Sequence, residues 1–515
     1  MFLLIVAGMT DVSAATQDET EARATPAEFS TGDATLDQQL DQLRQLTLRL
    51  DALAETTDGV AWLSSGVPSL PSPLPNTLAR AADRLGQELM LLEHASLALR
   101  GFSSHPRPRS AEHRSHAVRG TEQRSTLDLA EAAEPINLAF EIENVGTTAI
   151  VNPRLSVGGG PTWFDMDSLL TVALAGTEGD EQRAVALWQF LVDSRSRGDP
   201  ASDLYDLHDP VRLLNVFGYG YCDDAAEAYA VMVEALGMSA RVWWLNGHVV
   251  PEVQIDGRWA MLDPDGEAYY RHPETGLILG VEQLAENIEL LGTPVIPAGR
   301  SKALYPFATV APLFGSQEDN LARSPRAPAH IATMSYVLLP GDVLTLSWHH
   351  SGWRFANNRY RPPNRWGNGR FTGHRSLDIS VDSKPLSVDL PYALLAGRAR
   401  SSSTAPSPPA MTVFARATGQ AWVALTWTRD EDSRWTLPLT DALPLGMAIP
   451  AYSILLRVEP SGSNHTDASL ELELELIVQV APRSLPALHA GANEVLWNSD
   501  SPDGRAIVRH YMDDR

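Results

Sequence analysis

The chain has 515 residues, 44% of them hydrophobic, with 64 acidic and 40 basic side chains and a formal charge of −24. That length predicts two or three domains with real apolar cores, and the charge argues against nucleic acid or an anionic membrane surface as the main partner. With one cysteine, Cys222, an internal disulfide is excluded.

Residues 1–9 are a short apolar run, and Val12, Ser13 and Ala14 supply the small residues a signal peptidase accepts. The expectation is a signal peptide over 1–14, lacking its usual basic beginning, and a secreted or periplasmic protein. The run is too short to span a bilayer, and no later segment qualifies as a transmembrane helix. Leu36, Leu40, Leu43, Leu46, Leu50 and Leu53 stripe one helix, and Leu78, Leu85, Leu89 and Leu92 a second. Residues 30–101 therefore predict a helical hairpin around a proline-rich connector, whose leucine face is also a route to self-association. Residues 102–130 carry His105, Arg107, Arg109, His113, Arg114, His116, Arg119 and Arg124 among few apolar residues, which predicts a basic flexible linker.

From residue 131 the pattern changes. Leu138, Phe140 and Ile142 alternate as in a strand, and a helix bearing Ala184, Leu187, Trp188 and Leu191 follows. His208 stands beside Asp209 and Pro210, a helix-capping pair. The positions Ala226, Tyr229, Ala230, Val233 and Leu236, closed by Gly237, predict an amphipathic helix that begins at or beside Cys222. A helix N-terminus favours a thiolate, whereas the adjacent Asp223 and Asp224 oppose it, so an imidazolium partner would matter more. Asn246-Gly247 and Asp256-Gly257 mark two tight turns around a strand that starts at His248. With Ile255 opposite Arg258, Val250 faces Asp263, and His248 becomes the diagonal neighbour of Asp263. Asp265 and Glu252 compete for the acid role; Pro264 turns Asp265 away, and Glu252 suits Arg241 or Arg258 as a structural partner.

A helix-borne cysteine, a hairpin-borne histidine and an aspartate before proline resemble the transglutaminase-like superfamily. The matching residues are Gly220-Tyr221-Cys222, Gly237 to Arg241, His248 with Glu252-Val253, and Asp256-Gly257-Arg258-Trp259 followed by Asp263-Pro264. The resemblance spans roughly residues 165–275. It implies a papain-like core over 131–320, with Cys222 as nucleophile, His248 as general base and Asp263 as orienter. The Cys222 N–H would serve in the oxyanion hole, with Tyr219 the leading candidate for its second donor and Tyr221 a further oxyanion or substrate candidate.

Residues 325–515 read as a β-rich region. Residues 348–370 form an aromatic and arginine-rich loop with Trp353 and Trp366, suited to substrate contact or to packing against the core. Leu470, Leu472, Leu474, Leu476, Val478 and Val480 alternate with Glu471, Glu473, Glu475 and Gln479, the pattern of a half-buried antiparallel strand in a β-sandwich. The fold class expected is thus α+β, a transglutaminase-like core between a helical N-terminal region and a C-terminal antiparallel β-sandwich. The expected function is an exported cysteine hydrolase or acyltransferase acting on a peptide, amide or glycan-linked substrate, with no cofactor. No metal is expected, because the histidines show no ligand spacing with a carboxylate. A carbohydrate-directed protein and a non-catalytic interaction scaffold are the competing classes.

Overall fold

The computed structural model describes residues 112–130, 134–198, 205–315, 320–349, 366–378, 384–430, 432–443, 450–460 and 469–513. The expected signal peptide at 1–14, the helical hairpin at 30–101 and Trp353 lie outside the described residues.

Asp256 and Gly257 take left-handed φ angles of 49° and 76°, the backbone of a two-residue turn that matches strand twist. The turn joins the histidine strand, His248–Ile255, to the aspartate strand, Arg258–Asp263, with Ile255 opposite Arg258 as the sequence predicts. The other turn sets Leu245 opposite His248. An antiparallel six-stranded sheet results, in the order Pro294–Val295, Ala268–Tyr270, Arg258–Asp263, His248–Ile255, Ala240–Leu245, Leu321–Arg323. The cysteine helix, Cys222–Ala235, lays Ala226 and Ala230 on Val242 and Val249 of one sheet face. Its alanines allow a close approach. On the other face Trp243, Val250, Met261 and Tyr270 join a cluster with Leu284 and Phe314. The helix Gly179–Ser194 buries Ala184, Leu187, Trp188 and Leu191, matching its sequence spacing. Each of the fully buried leucines contributes roughly 1.5–3 kcal/mol.

The remaining strands assemble mainly into a twelve-stranded sheet. Its main path runs Glu112–Arg119, Arg505–Asp513, Ile136–Asn144, Val343–Ser347, Gly367–Asp378, Ser469–Val480, Leu386–Ser401, Ala451–Pro460, Met411–Ala417 and Val423–Ala424. This corrects two expectations. Residues 112–119 and 122–128 are strands, paired with Arg505–Asp513 and Ala492–Asn498, and not a flexible linker. A polar segment holds there because distant strands satisfy its backbone and its few apolar side chains, such as Val118, turn inward. The boundary drawn near residue 320 also fails as a division of the β-structure. Ile136–Asn144 pairs with both Val343–Ser347 and Arg505–Asp513, so one sheet takes strands from either side of the core. Mixed helix and sheet, with strand predominant, is the observed class.

The strand Ser469–Val480 keeps its alternation only in its first half; from Leu474 onward both faces are buried. Glu475 lies between Arg370 and Arg398, and Gln479 donates to Tyr219 Oη at 3.2 Å. The expected solvent face is therefore packed over the second half of the strand. Trp366 is 5% exposed at the start of the Gly367–Asp378 strand. Added Cβ atoms at Gly367 and Gly369 would lie 2.0 Å from Ser347 O and 2.5 Å from a Leu346 methyl, so only glycine admits that neighbouring strand.

Candidate active site

Leu213–Phe217 forms one buried π-helical turn ending at Gly218, whose φ is 71°. Tyr219–Gly220 then pairs in parallel with Ser196–Arg197. Tyr221 is the N-cap of the cysteine helix, and its N–H donates to Asp224 Oδ2 at 2.8 Å. A Cβ at position 220 would meet Asp224 Cβ at 2.8 Å, so glycine is required where the loop folds over the cap. Cys222 therefore occupies the first helical position, half-buried. Burial pushes its thiol pKa up, and a hydrogen bond with His248 pulls it down. The charges of Asp265 and Asp223 add to the upward push.

His248 Nε2 lies 2.7 Å from Asp263 Oδ2. An ionised carboxylate only accepts, so Nε2 carries the hydrogen and the other ring nitrogen is left for the thiol. Asp263 Oδ1 accepts from the N–H groups of Asp265, at 3.0 Å, and Gly266, at 2.8 Å. The Asp263 carbonyl accepts from Trp188 Nε1 at 2.8 Å. Burial alone would lower the His248 pKa, but the Asp263 carboxylate and the Cys222 sulfur raise it well above the ordinary value. The three side chains named from the sequence thus form a connected chain from thiol to imidazole to carboxylate.

Residues 169–264 match the family described as the transglutaminase-like superfamily, Transglut_core. The chain carries a transglutaminase-like core. No curated protein matches it. Similar solved structures include the infectious bursal disease virus VP2 subviral particle, 14% identical over 37% of this chain and 57% of that one, with a TM-score of 0.16. A second is the Gx strain of that virus, 13% identical over 54% of this chain and 74% of that one, with a TM-score of 0.15. The chain spans 57% of the length of the first, and a likeness of this size supports no shared fold.

Around the transglutaminase-like core's cysteine, the competitors for the acid role have other partners. Asp265 is 2% exposed and sits 3.1 Å from Arg195 Nη2 and 3.4 Å from Arg197 Nε. Glu252 is fully buried, accepting from Arg241, from Trp243 Nε1 and from Val281 N–H at 2.6 Å. Tyr219 is 1% exposed, its Oη accepts from Gln479 Nε2, which anchors it to the large sheet, and it is absent from the lining of the pocket around His248. Tyr221 stays half-buried beside Cys222, with the Arg197 guanidinium 6.0 Å from its ring centre. Buried Trp366 is absent from the pocket lined by His248, Asp263, Gly266, Tyr270 and Tyr305. Sequence reasoning missed Arg195, Arg197 and Tyr305. The signal was present as two arginines spaced by one serine at the end of an apolar helix in an acidic chain.

Two groups of ligand-type side chains converge within 4.8 Å among the described residues. One is Cys222, His248 and Asp265; the other is His208, Asp223 and Asp224. The second departs from the sequence expectation, because folding brings His208 Nε2 to 3.9 Å from Asp224 Oδ1. Burial lowers the His208 pKa to about 4, and its Nδ1 is 3.3 Å from the Arg326 carbonyl. Asp209 caps the next turn, accepting from Val211 N–H at 2.9 Å and Ala332 N–H at 2.6 Å, the ordinary role the sequence indicated.

Proposed function

We propose that the protein is an exported cysteine enzyme that cleaves or transfers an amide-linked acyl group. The observation that carries this reading is the 2.7 Å contact of His248 with Asp263 beside a cysteine at a helix N-terminus. The Cys222 thiolate attacks the substrate carbonyl, forming a C–S bond and placing negative charge on the carbonyl oxygen. The Cys222 N–H, in the first turn where no intrahelical acceptor exists, is the donor at hand for that oxygen. Imidazolium His248 gives its proton to the departing nitrogen as the C–N bond breaks and a thioester remains. Water or an amine then attacks the thioester, His248 takes the incoming proton, and the thiolate is released. Asp263 keeps the ring oriented and stabilises its charged form throughout. Export rests on residues 1–14.

Alkylation of the purified chain by iodoacetamide at pH 7 tests the reading. Rapid labelling of Cys222, slowed strongly in His248→Ala, is the expected result. A thiol no more reactive than free cysteine, and indifferent to that substitution, would sink the proposal.

A further inference from the structure

Two guanidinium groups share one carboxylate beside Cys222. Arg195 is enclosed, its side chain 3% exposed, and donates to Gly220 O, Pro264 O and Asp265 Oδ1, each at 3.1 Å. Arg197 meets the other Asp265 oxygen through Nε at 3.4 Å without hydrogen-bond geometry, and 30% of its side chain is exposed. Its backbone pairs with Gly220, two residues before Cys222. Its guanidinium lies 6.0 Å from the Tyr221 ring centre and 5.3 Å from that of Tyr305, and it donates to Tyr305 Oη. Tyr305 stands edge-on to His248, 6.3 Å between ring centres, and lines the pocket that holds His248 and Asp263.

The charges decide what this arrangement does. Asp263 is committed to His248, so Asp265 is the carboxylate that meets both guanidinium groups, with Asp224 also acting on Arg195. Arg195 is spent on backbone carbonyls and enclosed, which leaves Arg197, in contact with Asp265 but without hydrogen-bond geometry, as the guanidinium that reaches the surface. Two aromatic rings hold it in place, so little side-chain entropy is lost when it takes a ligand. A planar guanidinium fork matches a carboxylate.

We infer that Arg197 is the specificity residue of this site, receiving a carboxylate that the acyl donor carries beside its scissile carbonyl. The inference rests on Cys222 being the nucleophile. An acidic acyl donor is unexpected for a chain of charge −24, which is why a partly exposed guanidinium beside Cys222 matters.

Cys222 is the sole cysteine, so alkylation reports on it alone. The thiolate displaces iodide from iodoacetate or iodoacetamide; a C–S bond forms, the C–I bond breaks, and iodide leaves with the electron pair. The two reagents have nearly the same shape and differ in charge. At low salt, the iodoacetate-to-iodoacetamide rate ratio should exceed that of free cysteine and shrink as sodium chloride is added. It should fall about five- to tenfold in Arg197→Gln, with the iodoacetamide rate of the same variant reporting an intact site. A wild-type ratio no higher than that of free cysteine overturns the inference without any variant. An unchanged ratio in Arg197→Gln, with iodoacetamide still fast, overturns it while leaving the nucleophile standing. Slow labelling by both reagents instead removes the catalytic reading, and this inference with it.

Discussion

Asp263 carries a structural and a chemical duty in one side chain. One oxygen closes the Asp263–Gly266 turn by accepting two N–H groups, and the other holds His248. A Cβ at position 266 would lie 2.3 Å from that second oxygen. Gly266→Ala should therefore slow Cys222 alkylation at pH 7 severalfold, with the melting temperature changing far less, by displacing the carboxylate from the ring. Asp263→Ala should cost two to four decades in turnover, by comparison with orienting acids elsewhere, and Cys222→Ala should abolish turnover in a folded protein. If Asp265→Ala proved the more damaging to turnover, the assignment of Asp263 would be wrong. The thiol's pH dependence follows from its neighbours. His248 stabilises the thiolate, whereas burial, Asp265 and Asp223 disfavour it. Removing the imidazole in His248→Ala leaves only the opposing influences, so the alkylation midpoint should move to higher pH. A midpoint that stays put or falls would show that His248 does not govern the thiol.

Between elements, Arg195 is the brace of the site. It ties the loop before Cys222 to the turn after Asp263 through Gly220 O and Pro264 O, and Arg483 in turn donates to the Arg195 carbonyl at 3.0 Å. Arg195→Met would leave Asp265 buried against the half-exposed Arg197 alone. Urea unfolding should show a loss of about 3–5 kcal/mol, the usual result of removing one partner of a buried ion pair. At the edge of the large sheet's Gly367–Asp378 strand, Trp366 is buried and outside the pocket. Trp366→Ala should cost about 3–5 kcal/mol by opening a cavity. A variant as stable as wild type would reverse the packing role given to Trp366. The hairpin was legible in sequence because Asp256-Gly257 fixes its register locally, and the register then fixes which side chains are neighbours. Arg195 was not legible, because its value lies in acceptors 25 and 69 residues away.

Across the whole molecule, the large sheet gathers both ends of the described chain, and its first junction contains a pair of histidines. His116, on Glu112–Arg119, stacks on His510, on Arg505–Asp513, with ring centres 5.8 Å apart, and Phe140 packs on the other side of His510. Among the described residues, no ring nitrogen of either has a hydrogen-bond partner. Arg114, opposite His510 in the register, is exposed, while Arg509 and Glu141 pair on the other strand face. Burial lowers both histidine pKa values, that of His510 to about 3. Such a group stays neutral when folded but takes up a proton below about pH 6.5 when unfolded. The unfolded state then binds more protons, so stability falls as pH drops from about 6.5 towards 3, by up to about 1.4 kcal/mol per pH unit for His510. His510→Phe should flatten the fall in urea midpoint between pH 7 and pH 4. An identical slope in the variant would show that His510 does not sense pH.

The sequence by itself determined what is set by near neighbours. The helix that starts at Cys222, the turns at 246–247 and 256–257, and hence the His248–Asp263 pairing all follow from periodicity and turn chemistry over a few dozen residues. The tertiary structure decided what depends on pairing across hundreds of residues. Residues 112–119 and 122–128 became strands because Arg505–Asp513 and Ala492–Asn498 supply their hydrogen bonds. Glu475 and Gln479 lost their expected solvent face because Arg370, Arg398 and Tyr219 cover it. Asp265 found two arginines in place of the histidine. Local chemistry carries no record of which distant backbone will satisfy a polar segment, or which charge will cover a buried one, so only the assembled fold could assign those partners.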